Sequence, residues 1–93
     1  MSVLTVIYMR FFVSILPGDP FDVLLDAQGM MCPMPVLKAK KALRDVRSGS
    51  ILRVLATDPG SVADIKSFCE MTGNRLLASN QDDGVFTYDI EKA

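Results

Sequence analysis

Two cysteines, Cys32 and Cys69, and no histidine limit the nucleophilic chemistry open to this 93-residue chain. A Cys–His nucleophilic pair cannot form. A structural zinc site takes about four Cys or His ligands, and the chain has two cysteines to give, so no metal is expected. No Cys-x-x-Cys is present. What remains is a single thiol acting without a base of the usual kind. Cys32 sits in Gly29-Met30-Met31-Cys32-Pro33-Met34-Pro35, between a strand-like and a helix-like stretch. Free N–H groups and the positive end of the helix dipole gather at a helix start. A thiolate is an anion of the kind favoured there, so the placement predicts a lowered pKa and a reactive sulfur. Gly29 ends the strand. Pro33 suits the first helical position, and Pro35 is tolerated in the first turn while removing one more N–H. The two prolines stiffen the approach to the sulfur. Cys69 falls in the middle of the apolar face of a second helix and reads as a small buried hydrophobe. A Cys32–Cys69 disulfide is therefore not expected.

Met30, Met31, Met34 and Leu37 surround Cys32, and a helical wheel puts Met34 and Leu37 on the charged side. Scattered exposed apolar residues are ordinary, but methionine also suits surfaces that meet several partners. The basic residues Lys38, Lys40, Lys41, Arg44 and Arg47 describe either a solvated helix face or a patch that steers an acidic protein or a nucleic acid towards Cys32. The candidate docking set is Met31, Met34, Leu37, Lys38, Lys41 and Arg44. No aromatic residue lies on that face, which counts against base stacking, and direct nucleic-acid binding is not expected.

These residues need a scaffold. Hydrophobic residues make up 49% and charged residues 23%, a globular composition, and the length suits one domain. The net charge of −1 gives no whole-molecule attraction to nucleic acid or anionic membrane. Free thiols at this low cysteine density point to a reducing cytoplasm.

Residues 21–27 alternate Val23, Leu25 and Ala27 with Asp22 and Asp26, the pattern of a half-buried strand. Residues 33–47 place Val36, Ala39, Ala42, Leu43 and Val46 on one helical face, with Ser48-Gly49 as the stop. Residues 51–57 read as a central strand. Asp58-Pro59-Gly60-Ser61 turns into a second helix, with Ser61 or Asp58 as candidate caps. Its apolar face is Val62, Ile65, Phe68, Cys69 and Thr72, and Gly73 ends it. Residues 75–79 and 85–90 read as strands joined by an Asp82-Asp83-Gly84 hairpin, with Phe86, Tyr88 and Ile90 on the buried side of the last. The order β-α-β-α-β-β makes an α+β fold: a two-layer sandwich with two helices on one face of a mixed four-stranded sheet.

Residues 1–20 stand apart. The stretch from Val3 to Leu16 is apolar but shorter than the roughly 20 residues that span a bilayer, so stable membrane insertion is not expected, and it lacks the marks of a signal peptide. An added edge strand, a partner-binding tail, a weakly membrane-associated segment and an upstream extension without function all fit it. A non-catalytic extension is favoured, because termini are the least constrained part of a domain. Pro17-Gly18-Asp19-Pro20 forms the boundary, and residues 21–93 form the domain.

The segment Leu25-Asp26-Ala27-Gln28-Gly29-Met30-Met31-Cys32-Pro33-Met34-Pro35 resembles the Cys-Pro-x-Pro signature of the TusA/SirA-like sulfur-carrier family. Ala56-Thr57-Asp58-Pro59-Gly60-Ser61 and Ser67-Phe68-Cys69 also resemble family segments, and the likeness covers about residues 22 to 91. It implies the same β-α-β-α-β-β sandwich. It further implies that Cys32 takes a sulfane sulfur from a cysteine desulfurase or a rhodanese-type donor, holds it as a persulfide and passes it to a downstream acceptor protein. Members of the family serve tRNA thiolation, molybdenum-cofactor maturation and sulfur oxidation. Their helix often carries an acid between the two prolines, where this chain has Met34.

The carrier so implied is a sulfurtransferase-type protein with a covalent intermediate rather than a complete enzyme, and it needs no cofactor and no small-molecule pocket of note. Two other classes compete. A thiol redox sensor would need a resolving thiol beside Cys32. A regulatory or RNA- or protein-binding module would use the basic first helix independently of Cys32.

Overall fold

The computed structural model describes residues 21–93; the extension proposed for residues 1–20 lies outside the described residues. The elements run β1 (Val23–Ala27), α1 (Met34–Arg44), β2 (Ile51–Ala56), α2 (Ser61–Thr72), β3 (Arg75–Asp82) and β4 (Val85–Glu91). The strands form one mixed sheet in the order β1-β2-β4-β3. β1 pairs parallel with β2, while β2–β4 and β3–β4 are antiparallel. This is the expected α+β sandwich of two helices on a four-stranded sheet.

The period-2 alternation of the strands decides which residues face the helices. Leu52, Val54 and Ala56 of β2 are buried, in register with Ile90, Tyr88 and Phe86 of β4. Ala39 and Leu43 of α1 and Ile65 and Cys69 of α2 close over them. The buried stripe of α2 is Ser61, Ile65 and Cys69 at four-residue spacing. A serine fits this stripe because its hydroxyl meets the Tyr88 hydroxyl at 2.7 Å, so neither polar atom is buried without a partner. Val62 and Thr72, expected on the apolar face, point outward instead, since they lie off the line set by the residue that bonds Tyr88.

The first helix is shorter than its periodicity suggests. Pro33 is its cap, with φ −97° and ψ 15°, and Met34 is its first residue; the carbonyl of Pro33 accepts from Leu37 N–H at 3.1 Å. At the other end the Asp45 N–H turns back to Ala42 at 3.2 Å, and Lys92 Nζ donates to the Val46 carbonyl at 2.8 Å. That tertiary bond holds Val46 outside the helix. Neither Ser61 nor Asp58 caps α2 through a side chain: Gly60 is the cap residue.

On the far face of the sheet Arg53 binds Asp89 through two hydrogen bonds of 2.7 and 2.9 Å, and its guanidinium lies 4.5 Å from the centre of the Phe21 ring. Asp89, on the outward side of an alternating strand, is only 8% exposed for this reason. β3 extends to Asp82 despite its polar end, because Asn80, Gln81 and Asp82 pair with Thr87, Phe86 and Val85. A bulge between Leu76 and Ala78 interrupts that ladder. The hairpin closes through Asp83 and Gly84, whose φ values of 52° and 79° match a type I′ turn.

Replacing Ile65 with alanine removes the largest α2 side chain from the core and is expected to cost about 3 kcal/mol. Urea unfolding of Ile65→Ala against the wild type measures the loss.

Candidate functional site

The parallel β1–β2 pair ends with Ala27 beside Ala56, so the chain leaves both strands at the same edge. The loop after β1 is held there by the segment after β2. Gly29 turns with φ +80°, a conformation that glycine adopts without strain, and its N–H donates to Thr57 Oγ1 at 2.9 Å. The Cys32 N–H donates to Asp58 Oδ2 at 2.8 Å. The Cys32–Pro33 peptide bond is cis. Pro35, two residues into the helix region after its cap, is buried and anchors the first turn of α1 to the core.

Cys32 is exposed and Cys69 is buried, and both are free thiols. The surface position expected for Cys32 and the core position expected for Cys69 are both observed. The helix-start argument for a lowered Cys32 pKa, however, is reversed. The Cys32 thiol lies above the ordinary thiol range, first because Sγ–H donates a hydrogen bond to Asp64 Oδ2, then through desolvation, then through the negative charges of Asp64 and Asp58. The physical reason is visible in the donors. Pro33 and Pro35 have no N–H to offer. The Met34 N–H is donated to the Met31 carbonyl at 2.8 Å, and the N–H of Cys32 itself goes to Asp58. The helix start is thus poor in donors, and the group that reaches Sγ is a carboxylate. Burial alone pushes the Cys69 thiol up.

Asp64 was not identifiable from its neighbours in sequence. It lies in the first turn of α2, 32 residues from Cys32, and only the parallel strand pair brings the two helix starts together. Asp58 carried a partial signal as part of a turn motif, where a cap was expected. In the structure it clamps the backbone of Cys32 and also accepts from Gly60 N–H at 3.4 Å.

The candidate docking residues are at the surface. Met31 is 76% exposed, Met34 and Leu37 are also exposed, and Lys38, Lys41 and Arg44 follow along the outer side of α1. Between the helices runs an open groove of about 330 Å³ lined by Cys32 and Asp64, by Pro33 and Val36, and by Ser67, Phe68 and Met71. Phe68 is only half-buried and Met71 is 86% exposed, so α2 contributes apolar surface next to the sulfur that its core pattern concealed. No group of three or more His, Cys, Asp or Glu side chains among the described residues could hold a metal ion. No helix among them is long and apolar enough to cross a membrane.

The family model described as sulfurtransferase TusA matches residues 23–92. The sulfur carrier protein TusA of Allochromatium vinosum is 49% identical over 73 residues, covering 78% of this chain and 96% of that protein. A putative sulfur carrier protein of Neisseria meningitidis serogroup A is 48% identical over 67 residues, 72% of this chain and 90% of its own length. The crystal structure of a SirA-like protein from Desulfitobacterium hafniense superposes with a TM-score of 0.68 at 30% identity, covering 75% of this chain and 96% of that one.

Iodoacetamide is expected to label Cys32 alone in the native protein, and Cys69 only after unfolding. With its thiol raised, the labelling rate of Cys32 keeps climbing past the ordinary thiol range. A stabilised thiolate would level off near neutrality. Stopped-time labelling read by mass spectrometry measures both.

Proposed function

This chain belongs to the sulfurtransferase TusA family, and on that premise we propose that it is a sulfur carrier whose working atom is Cys32 Sγ, with residues 21–93 as the carrier domain. The observation that carries the reading is an exposed thiol on a clamped backbone, beside an open groove and an apolar surface suited to another protein. Cys32 attacks the outer sulfur of a donor persulfide. The new Sγ–S bond forms as the donor's S–S bond breaks, and the donor leaves as a thiol. An acceptor thiolate then attacks the outer sulfur and Cys32 is released. No metal or bound cofactor takes part.

Gly29, Pro33 and Pro35 set the backbone that presents the sulfur. Met31, Met34 and Leu37 form the apolar part of the docking surface, and Lys38, Lys41 and Arg44 supply charge that orients an acidic partner. The partners are a sulfur donor, of the cysteine desulfurase or rhodanese class, and a downstream acceptor protein in tRNA thiolation, cofactor maturation or sulfur oxidation. A reducing cytoplasm is the compartment in which a carrier with free thiols would work.

Intact-mass spectrometry without reductant, after incubation with a cysteine desulfurase and cysteine, tests the reading. The wild type and Cys69→Ser are expected to gain about 32 Da, and Cys32→Ser to gain nothing. No added sulfur on the wild type from either donor class would sink the proposal.

A further inference from the structure

The carboxylates beside Cys32 play different parts. Asp58 is committed to the backbone, accepting from Cys32 N–H at 2.8 Å and Gly60 N–H at 3.4 Å. The Asp64 carboxylate clamps no backbone group in this way, and the hydrogen bond it accepts among the described residues is from Cys32 Sγ–H. The ion pairs among the described residues, Arg53–Asp89 and Arg75–Glu91, leave it out. The other groove residues, Pro33 and Val36 from the α1 side and Ser67, Phe68 and Met71 from α2, carry no ionisable group. The chain contains no histidine to accept the proton. A solvent-exposed sulfur thus faces a carboxylate that stabilises its protonated form and opposes its ionised form.

We infer that Asp64 is a specificity-determining residue for Cys32: it holds the sulfur of the unbound carrier as a thiol. Cys32 then exchanges sulfur with persulfides presented by protein partners, not with small electrophiles and oxidants in solvent. The thiolate is the reactive species in alkylation and peroxide oxidation alike, and Cys32 has no burial to shelter it. Inside a protein complex the thiolate need form only at the moment of exchange. The Sγ–H bond breaks as Sγ bonds the outer sulfur of the donor, the donor's S–S bond breaks, and the proton passes to the departing donor sulfur. A thiol and a persulfide give a persulfide and a thiol, and nothing is oxidised or reduced overall.

The test compares the wild type with Asp64→Asn and Asp64→Glu. At pH 7.5 the reaction of Cys32 with iodoacetamide and with hydrogen peroxide is expected to quicken in Asp64→Asn. The gain is about threefold for each pH unit by which the thiol titration falls, since tenfold more thiolate is partly offset by lower intrinsic nucleophilicity. Asp64→Glu, which keeps the carboxylate, stays nearer the wild type. Loading by a cysteine desulfurase is retained in both variants, and urea unfolding checks that each keeps the fold. Alkylation of Asp64→Asn at the wild-type rate or slower overturns the inference. So does a fall in loading that matches the loss of the carboxylate, which would make Asp64 part of the exchange itself. The loading arm rests on the carrier reading and the alkylation arm does not. Failure of the wild type to load overturns that reading, while the alkylation rates still decide this one.

Discussion

Two parallel strands end at the same edge of a sheet, and each must hand its chain to a crossover helix there. In this protein Ala27 and Ala56 are partners at that edge, so the loop into α1 and the loop into α2 start side by side. Thr57 and Asp58, the first residues past β2, bind the backbone of Gly29 and Cys32. Asp64, in the first turn of α2, meets the sulfur. An antiparallel β1–β2 pair would put the two strand ends at opposite edges, and these contacts would not exist. The rest of the molecule keeps this pair in register: β4 backs β2 along its length, and the Ser61–Tyr88 hydroxyl pair ties the start of α2 to the centre of the sheet.

A helix start ordinarily favours an anion because its first N–H groups lack partners. The Cys-Pro-x-Pro segment has two prolines in the region and lends its remaining donors to Met31 and Asp58. The prolines therefore contribute rigidity and position more than electrostatic activation. Rigidity suits the sulfur transfer proposed for Cys32, which depends on contact geometry. The groove beside Cys32, with Met71 and Phe68 on one wall, is apolar apart from Asp64 and Ser67.

Much of the fold was legible in the residue pattern. The alternation of Leu52, Val54 and Ala56 and of Phe86, Tyr88 and Ile90 announces two strands with one buried face each, because a strand's side chains must alternate. Gly49 and Gly73 mark real chain reversals at φ 89° and 80°. The element ends that local pattern misplaces, residues 45–47 after α1 and 80–82 in β3, are decided by partners distant in sequence: Lys92 for Val46, and β4 for the polar tail of β3. Val62 and Asp89 depart from their local pattern for the same kind of reason. The hydroxyl of Tyr88 sets the rotation of α2, and the guanidinium of Arg53 covers Asp89.

The chain by itself determined which atom is chemically distinctive. Cys32 lies between a glycine turn and two prolines, Cys69 lies on an apolar helical stripe, and those are local properties of residue type and spacing. Exposure of one thiol and burial of the other follow from that pattern alone. The direction in which the Cys32 pKa moves was decided only by tertiary structure. A pKa responds to every charge and hydrogen bond within a few ångströms, whatever its distance along the chain, and Asp64 and Asp58 arrive there through strand pairing that no local window contains.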